Sequence, residues 1–344
     1  MSRKLPTYVH ITDAVSLKLE ELLKQLNPDK IGLLVDENTK EHCLDKLDLR
    51  PDILVEIKSG EQEKNLHTCN LIWKKLTDAS FSRRSVLINL GGGVIGDMGG
   101  FAASTFKRGI AFINIPTTLL SQVDASIGGK LGIDYQGLKN HIGVFQNPYA
   151  VLIDKEFLGT LSKRQLLSGY AEVIKHALIY DQNHWGSLNA TSFDELEWTD
   201  IISKSIYIKN QVVTKDPMEN DLRKILNFGH TLGHAIESYF LNSDQSLLHG
   251  EAVAVGMILE SHLSLQLNMI SIEEHKEINQ HIKSRFSLPN ALPNYEALVT
   301  FLKQDKKNMN GKISFSLLEK IGSCIHDQTV SIEYIKNSLS YYAK

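Results

Sequence analysis

Five short apolar runs mark the first half of the chain: IGLLV (31–35), DILVEI (52–57), SVLINL (85–90), AFINIP (111–116) and AVLI (150–153). Each is short and bounded by polar or turn-forming residues, so each predicts a buried strand rather than a buried helix. Between them, SLKLEELLKQL and EKNLHTCNLIWKKL repeat apolar residues at the three-to-four spacing of a helix face. Strand and helix in alternation imply a parallel sheet with helices on its faces. Beyond about residue 160 the pattern changes. KRQLLSGYAEVIKHALIY, DIISKSIYIKNQVVTK, TLGHAIESYF and EAVAVGMILESHLSLQL predict long helices, and KISFSLLEKI a short strand or hairpin. The expected organisation is an α/β domain over residues 1–166 and a mostly helical domain over 167–344, without a low-complexity linker or internal repeat.

Composition narrows the function. With 344 residues, 42% hydrophobic and 22% charged, and a net charge of -3, the chain has room for two cores. It carries no basic footprint for nucleic acid or anionic membrane. The opening MSRKLPTYVHITDAV has no apolar run of signal-peptide type, and no stretch approaches the ~18 apolar residues of a membrane span. Cys43, Cys69 and Cys324 are far apart and odd in number, which argues against a disulfide framework and for a reducing compartment. A cytoplasmic protein is expected.

Chemistry begins at SVLINLGGGVIGDMGGFAAS, which runs from strand through glycines into a helix. Gly91, Gly93 and Gly96 fit G-x-G-x-x-G, the pattern that lets a backbone approach a pyrophosphate at a helix N-terminus. The acid usually found about 20 residues later is missing. Asp36, directly after the first of these runs, is a carboxylate for a ribose or else a helix cap or turn residue. The loop itself is either a nucleotide site or a tight structural turn.

Lys130, Lys139 and Asn140 follow in a glycine-rich segment without strong helical periodicity, and then come Lys175, Lys209 and Arg223. Most lysines only solvate a surface. Lys175 stands three residues from Glu172 in an otherwise apolar helix, which fits a salt-bridged face or a pocket. Metal candidates are His230, His234, His249, Glu172 and His176. The pairs His230/His234 and Glu172/His176 have i, i+4 spacing, and HExxH does not apply because no glutamate follows His230. Spacing alone does not choose among them.

Taken together, the stretches GGGVIGDMGGFAASTFKRGI, IPTTLLSQVDASIGGK, GLKNHIGVFQNP, LSGYAEVIK, LNFGHTLGHAIE and LHGEAVAVGM resemble the 3-dehydroquinate synthase family, within the sugar phosphate cyclases. The likeness extends from VDEN and SGEQEK (59–64) to DKK (305–307). It implies a Rossmann-like NAD-binding domain, a helical metal-binding domain, and an active site in the cleft between them. It also implies one divalent ion, zinc or cobalt, held by Glu172, His230 and His249. Phosphate falls to Lys130, Asn140, Arg223 and His234 with one of Lys306 and Lys307. The substrate's carboxylate and hydroxyls fall to Lys175, Lys209 and Asn227, with Arg108 and Asp124 in the same pocket. NAD is expected along Asp36, Asn38, Ser59, Gly60, Glu61, Gln62, Glu63 and Lys64, then Gly92, Gly93, Val94, Ile95, Gly96 and Asp97. Thr117, Thr118, Lys130, Lys139, Phe157, Leu158, Gly159 and Thr160 complete that set.

The reaction implied is phosphate-eliminating ring closure of 3-deoxy-arabino-heptulosonate 7-phosphate to 3-dehydroquinate, in the shikimate pathway to aromatic amino acids. NAD oxidises a hydroxyl and is regenerated, the metal is a Lewis acid, and the substrate phosphate takes its own proton. The family also suggests a homodimer. Where its common pattern reads D-E-x-E-x-G-x-R, this chain reads DPMENDLR, with Pro217 and Asp221 replacing the glutamate and glycine. Three additional residues separate His234 from His249. Rival readings are another sugar phosphate cyclase, a metal-dependent polyol dehydrogenase, and a non-enzymatic nucleotide-binding module. The retained Lys130, Asn140, Lys209, Asn227 and His234 weigh against the first two, and a binding module would leave the cations without a purpose.

Overall fold

The computed structural model describes residues 4–136, 138–241, 243–304 and 313–342. The chain divides into two compact units, one of Met1–Ser162 with Trp198–Asn210, the other of Lys163–Glu197 with Gln211–Lys344.

The first unit runs β1 (Val9–Ile11), α1 (Val15–Leu26), β2 (Ile31–Asp36), α2 (Glu37–His42), β3 (Ile53–Ile57), α3 (Leu66–Asp78) and β4 (Val86–Gly91). It continues through α4 (Gly93–Thr105), β5 (Ala111–Pro116), β6 (Lys130–Tyr135), β7 (Leu138–Phe145) and β8 (Ala150–Ile153). Its sheet has the order β1-β8-β5-β4-β2-β3, and every pairing is parallel. The five apolar runs are β2, β3, β4, β5 and β8, each within a residue of its expected ends. They read as continuous apolar stretches because both faces are covered. Leu34 and Leu87 pack with Ile72 of α3 and Met98 of α4, while Leu33, Val35 and Ile88 pack with Leu19 and Leu22 of α1.

Three strands have no clear sequence signal. β1 is only three residues long. β6 and β7 form an antiparallel hairpin in which Gly132 faces Gly143. A Cβ on Gly143 would collide with the Leu131 carbonyl, so glycines replace the apolar alternation that would have announced a strand.

The sheet order places the site. From β2 the chain moves outward to β3, whereas from β4 it moves the other way to β5 and β8. Loops at the carboxyl ends of β2 and β4 therefore diverge and leave a crevice, the usual ligand position in an open α/β sheet.

In chain order come α5 (Lys163–Tyr180), α6 (Gln182–Ala190), α7 (Trp198–Lys215), α8 (His230–Phe240), α9 (His249–Gln266), α10 (Ile272–Lys283) and α11 (Tyr295–Gln304). They are followed by β9 (Ser314–Lys320), β10 (Ser323–Thr329) and α12 (Ile332–Tyr342). The late apolar run is β9, paired antiparallel with β10. Within the second unit α8 and α9 cross at very short range. A Cβ on Gly256 would overlap the Gly229 carbonyl, and one on Gly233 would lie 2.9 Å from the Ala252 oxygen. On the two crossing helices the rings of His230 and His249 lie 5.5 Å apart between centroids. Among the described residues, no helix is long and apolar enough to cross a membrane.

Candidate active site

The glycine loop closes β4 and opens α4. Gly92 is the residue before the helix, with extended backbone and no side-chain cap, so the first amides of α4 are left for a ligand. A Cβ on Gly92 would come 3.2 Å from the Thr118 methyl. A Cβ on Gly91 would overlap Ile95, whose side chain turns into the core. Val94 and Gly96 belong to the same first turns, and Thr117 N–H ties the next strand's end to Gly91 O at 3.1 Å.

Around this loop the first unit gathers many of the expected residues. Lys64 Nζ contacts Asp97 Oδ2 at 2.5 Å and donates to Asn140 Oδ1 at 2.6 Å. Burial alone would favour a neutral Asp97 and lifts its pKa, while Lys64 opposes that shift. Lys209 Nζ lies 2.9 Å from Asp124 Oδ1 and donates to the Asp124 carbonyl at 2.6 Å. Lys130 opens β6 and lines a water-sized cavity of about 10 Å³ with Gly93, Gly96, Asp97, Ser126 and Gln146. Asp36 caps α2: its Oδ1 accepts from Thr39 N–H at 2.8 Å, and Asn38 lies exposed in the first turn. Ser59 donates from N and Oγ to Glu37 at 2.8 and 2.6 Å, and Gly60, at φ 110°, leads into the turn of Glu61, Gln62 and Glu63. Phe157, Leu158, Gly159 and Thr160 form a 3-10 turn after β8, with Phe157 fully buried in the core. Lys139 is exposed on β7. Arg108 stands apart. It is exposed beyond the far end of α4, a 13-residue helix, roughly 20 Å from the glycine loop at ~1.5 Å per residue. Lys306 and Lys307 lie outside the described residues.

In the second unit Glu172, on α5, is the focus. His230 Nε2 is 3.4 Å and His249 Nε2 3.6 Å from its Oε1, and Lys175 pairs with Oε2. The other nitrogens of the two rings face acceptors. His230 Nδ1 meets the Phe228 carbonyl at 3.0 Å, and since a carbonyl only accepts, Nδ1 is the donor there. His249 Nδ1 lies 3.6 Å from Glu237 Oε2. Both imidazoles thus aim Nε2 at one carboxylate and are oriented through Nδ1, the pattern of histidines bound to a metal. His234, one turn after His230, has its ring centroid 5.0 Å from that of His230 and 5.5 Å from that of His249. His230, His234 and His249 each offer a ligand atom within 4.8 Å of the others.

The scaffold behind these side chains is specific. Glu260, fully buried on α9, accepts from Gly229 N–H at 2.6 Å and Leu232 N–H at 3.0 Å, so it caps α8 where His230 begins it. Gly250 N–H donates to Ser168 Oγ at 3.0 Å, and a Cβ on Gly250 would fall on the Ser168 carbonyl. This seats the start of α9 one turn before Glu172 on α5. Glu251 caps α9 at Leu248 N–H (2.8 Å) and pairs in a two-pronged fashion with Arg164 at 2.6 and 2.7 Å. Glu237, Glu251, Glu260 and Glu37 were not singled out by sequence reasoning. A signal existed for two of them, since Glu237 follows His230 by seven residues and Glu260 follows His249 by eleven, each on the same helix face as its histidine.

Arg223, buried, sits in a turn closed by Asp216, whose carboxylate accepts from the N–H groups of Asn220, Asp221 and Arg223 at 3.0, 2.7 and 3.0 Å. Its Nη1 donates to the Pro217 carbonyl at 2.6 Å, and Asn227 donates to Glu219 Oε1 at 3.2 Å. Asp221 has φ -145°, so this position does not require the family's usual glycine.

Electrostatics fit a divalent ion. Burial would favour a neutral Glu172, but Lys175 and His230 hold its carboxyl well below the usual carboxylate range. Burial, then Lys175, lowers His230 to about 4, leaving it neutral. Burial opposes charge on His249 too, but Glu172 and Glu237 outweigh it and raise it to about 9. A ligand imidazole must be neutral, so with His249 as a ligand, ion binding near pH 7 would expel this proton. Cobalt(II) affinity is therefore expected to rise about tenfold from pH 7 to pH 8. Calorimetry in buffers of different ionisation heat should find about one proton released; pH-independent binding would contradict it.

Family models for the N-terminal and C-terminal parts of 3-dehydroquinate synthase match residues 54–168 and 169–308. The chain belongs to the 3-dehydroquinate synthase family. A 3-dehydroquinate synthase of Parabacteroides distasonis is 41% identical over 334 residues, covering 94% of this chain and 94% of its own. That of Pelagibacter ubique is 38% identical over 345 residues, covering 94% and 93%. Among solved structures, 2-deoxy-scyllo-inosose synthase, complexed with carbaglucose-6-phosphate, NAD+ and Co2+, superposes with a TM-score of 0.84 at 23% identity, covering 96% and 95%. A 2-epi-5-epi-valiolone synthase of Streptomyces hygroscopicus with NAD+ and Zn2+ reaches 0.84 at 24%, covering 100% and 98%. A probable glycerol dehydrogenase of Sinorhizobium meliloti gives 0.61 at 15%, covering 99% and 98%. These structures share the fold with this family member.

Proposed function

We propose that the chain converts 3-deoxy-arabino-heptulosonate 7-phosphate to 3-dehydroquinate and phosphate, using NAD and one divalent ion, zinc or cobalt. The observation that carries this reading is the convergence of His230 Nε2 and His249 Nε2 on Glu172, with Nδ1 of each ring facing an acceptor. Glu172, His230 and His249 are the ligands, a carboxylate and two imidazoles that leave positions open for substrate. His234, one turn after His230, then serves the substrate phosphate.

When bound, NAD supplies a reversible hydride acceptor and the ion a Lewis acid for the substrate's oxygens. The chain's own residues bind and orient. The first amides of α4 hold the pyrophosphate; Asp36 and Asn38 serve a ribose, and Lys64 and Asp97 flank the loop. Lys209, steadied by Asp124, with Lys175 and Asn227, holds the carboxylate and hydroxyls. Lys130, Asn140, Arg223 and His234, joined by Lys306 or Lys307, hold the phosphate. In the elimination the C–H electron pair forms the new double bond, the C–O bond to phosphate breaks, and the phosphate oxygen receives the proton. No carbon base is required of the protein. Its cations meet the charge on the leaving group. We place the enzyme in the cytoplasm as a homodimer. Arg108, distant from its own glycine loop, has no part in this account.

With NAD, cobalt(II) and the heptulosonate phosphate, stoichiometric phosphate release without net NADH is expected. Net NADH would make the protein a dehydrogenase. Turnover of a different sugar phosphate alone would make it another cyclase, and no turnover a binding module.

A further inference from the structure

Arg223 lies in the 3-10 turn Leu222–Asn227, and both flanks of that turn are gripped by the hairpin β9–β10. Opposite Ser316 on β9, the strand β10 carries two residues, His326 and Asp327, where register shifts between Ile325 and Gln328. This is a β-bulge, a device that re-aims side chains beside functional sites. It is strained: Asp327 has φ 57°, unusual for a residue other than glycine. The bulge turns both side chains toward the arginine's turn. His326 Nε2 meets Asp221 Oδ1 at 3.1 Å, and its Nδ1 meets Asp327 Oδ2 at 2.9 Å. Asp327 Oδ2 also pairs with Lys224 at 2.8 Å, and Ser316 Oγ donates to the Lys224 carbonyl at 2.7 Å. Asp221 and Lys224 bracket Arg223, and the Asp221 N–H shares the Asp216 carboxylate with the Arg223 N–H. Where the family pattern has glycine, no carboxylate would face His326.

We propose that the His326–Asp327 bulge is a positioning device for Arg223, gripping the turn through Asp221 and Lys224 and thereby setting how tightly the site holds a phosphoryl group. His326 and Asp327 touch no substrate; they act through the segment that carries the arginine. The proposal rests on the reading that Arg223 binds phosphate. It also accounts for Asp221: this chain's departure supplies the acceptor that the histidine needs. Because Asp221 is largely exposed, its side chain 80% accessible, the pair's effect is modest.

The test measures inorganic phosphate binding to the protein loaded with NAD and cobalt(II). Arg223→Ala should weaken phosphate more than tenfold. Asp221→Gly and His326→Ala should each weaken it about threefold, and the double variant also about threefold, because both remove one interaction. His326→Gln, which keeps one donor toward Asp221, should recover part of the loss. Metal content and melting temperature should not change in Asp221→Gly, which leaves the bulge itself intact. If Arg223→Ala weakens phosphate while Asp221→Gly and His326→Ala do not, the positioning device is refuted and the role of Arg223 stands. Multiplication of the two single effects in the double variant would refute it too. If Arg223→Ala leaves phosphate affinity intact, the underlying reading falls, and the inference with it.

Discussion

Replacing His249 with alanine should strip the protein of its divalent ion, while replacing His234 should leave the ion in place. The two rings are close, at 5.5 Å between centroids, and proximity alone does not separate them. Their surroundings do. His249 has Nε2 on Glu172 and Nδ1 on Glu237, a carboxylate on either side of the ring. A site with three protein ligands loses a third of its donors, and Glu237 loses the ring it orients. Metal analysis after dialysis should find about one ion per chain in the parent and in His234→Ala, and almost none in His249→Ala. An affinity loss on the order of 100-fold or more is expected, since even outer-shell changes cost 10–100-fold. In His234→Ala the loss should instead appear in phosphate affinity. Depletion of metal in the His234 variant with retention in the His249 variant would reverse the ligand assignment.

The second large effect concerns Lys175. Its ammonium and the Glu172 carboxylate form an ion pair with both side chains almost fully buried, at 2% and 1% accessibility. Without an ion bound, Lys175 is the main positive charge holding Glu172 ionised. Lys175→Met removes the nearest counter-charge of a buried carboxylate and leaves it only His249, at a cost of roughly 3–5 kcal/mol. That is a large share of a typical folding free energy of about 5–15 kcal/mol. A divalent ion would restore the missing charge. Denaturation in the presence of a chelator should therefore show a strongly destabilised variant, and saturating cobalt(II) should stabilise it more than it stabilises the parent. Equal metal-induced stabilisation of parent and variant would show that the pair is merely a structural salt bridge.

How far the sequence revealed this site depends on the kind of contact. The glycine loop was legible because a continuous apolar strand precedes it and a helix follows, and β4 and α4 fall there. The spacing of His230 and His234 placed both rings on one helix face but did not decide between them. What sets His230 apart is its Nδ1 on the Phe228 carbonyl two residues back and its Nε2 beside Glu172 of α5, the second a tertiary contact that spacing along the chain does not display. Gly256 and Gly233, which permit the crossing of α8 and α9, look in sequence like ordinary helix-weakening glycines. Asp36 was open between ribose ligand and helix cap, and the structure shows the cap through one oxygen. The β6–β7 hairpin was hidden by its facing glycines. Arg108 entered the expected pocket only through family resemblance, and α4 carries it away from its own glycine loop.

Anomalous scattering from cobalt-soaked crystals reaches the metal assignment most directly. A single peak within bonding distance of a Glu172 carboxylate oxygen and of Nε2 of both His230 and His249, with His234 outside the coordination sphere, is the predicted result. A peak ligated by His234 in place of Glu172, or Glu172 still paired only with Lys175 beside an ion bound elsewhere, would contradict the account.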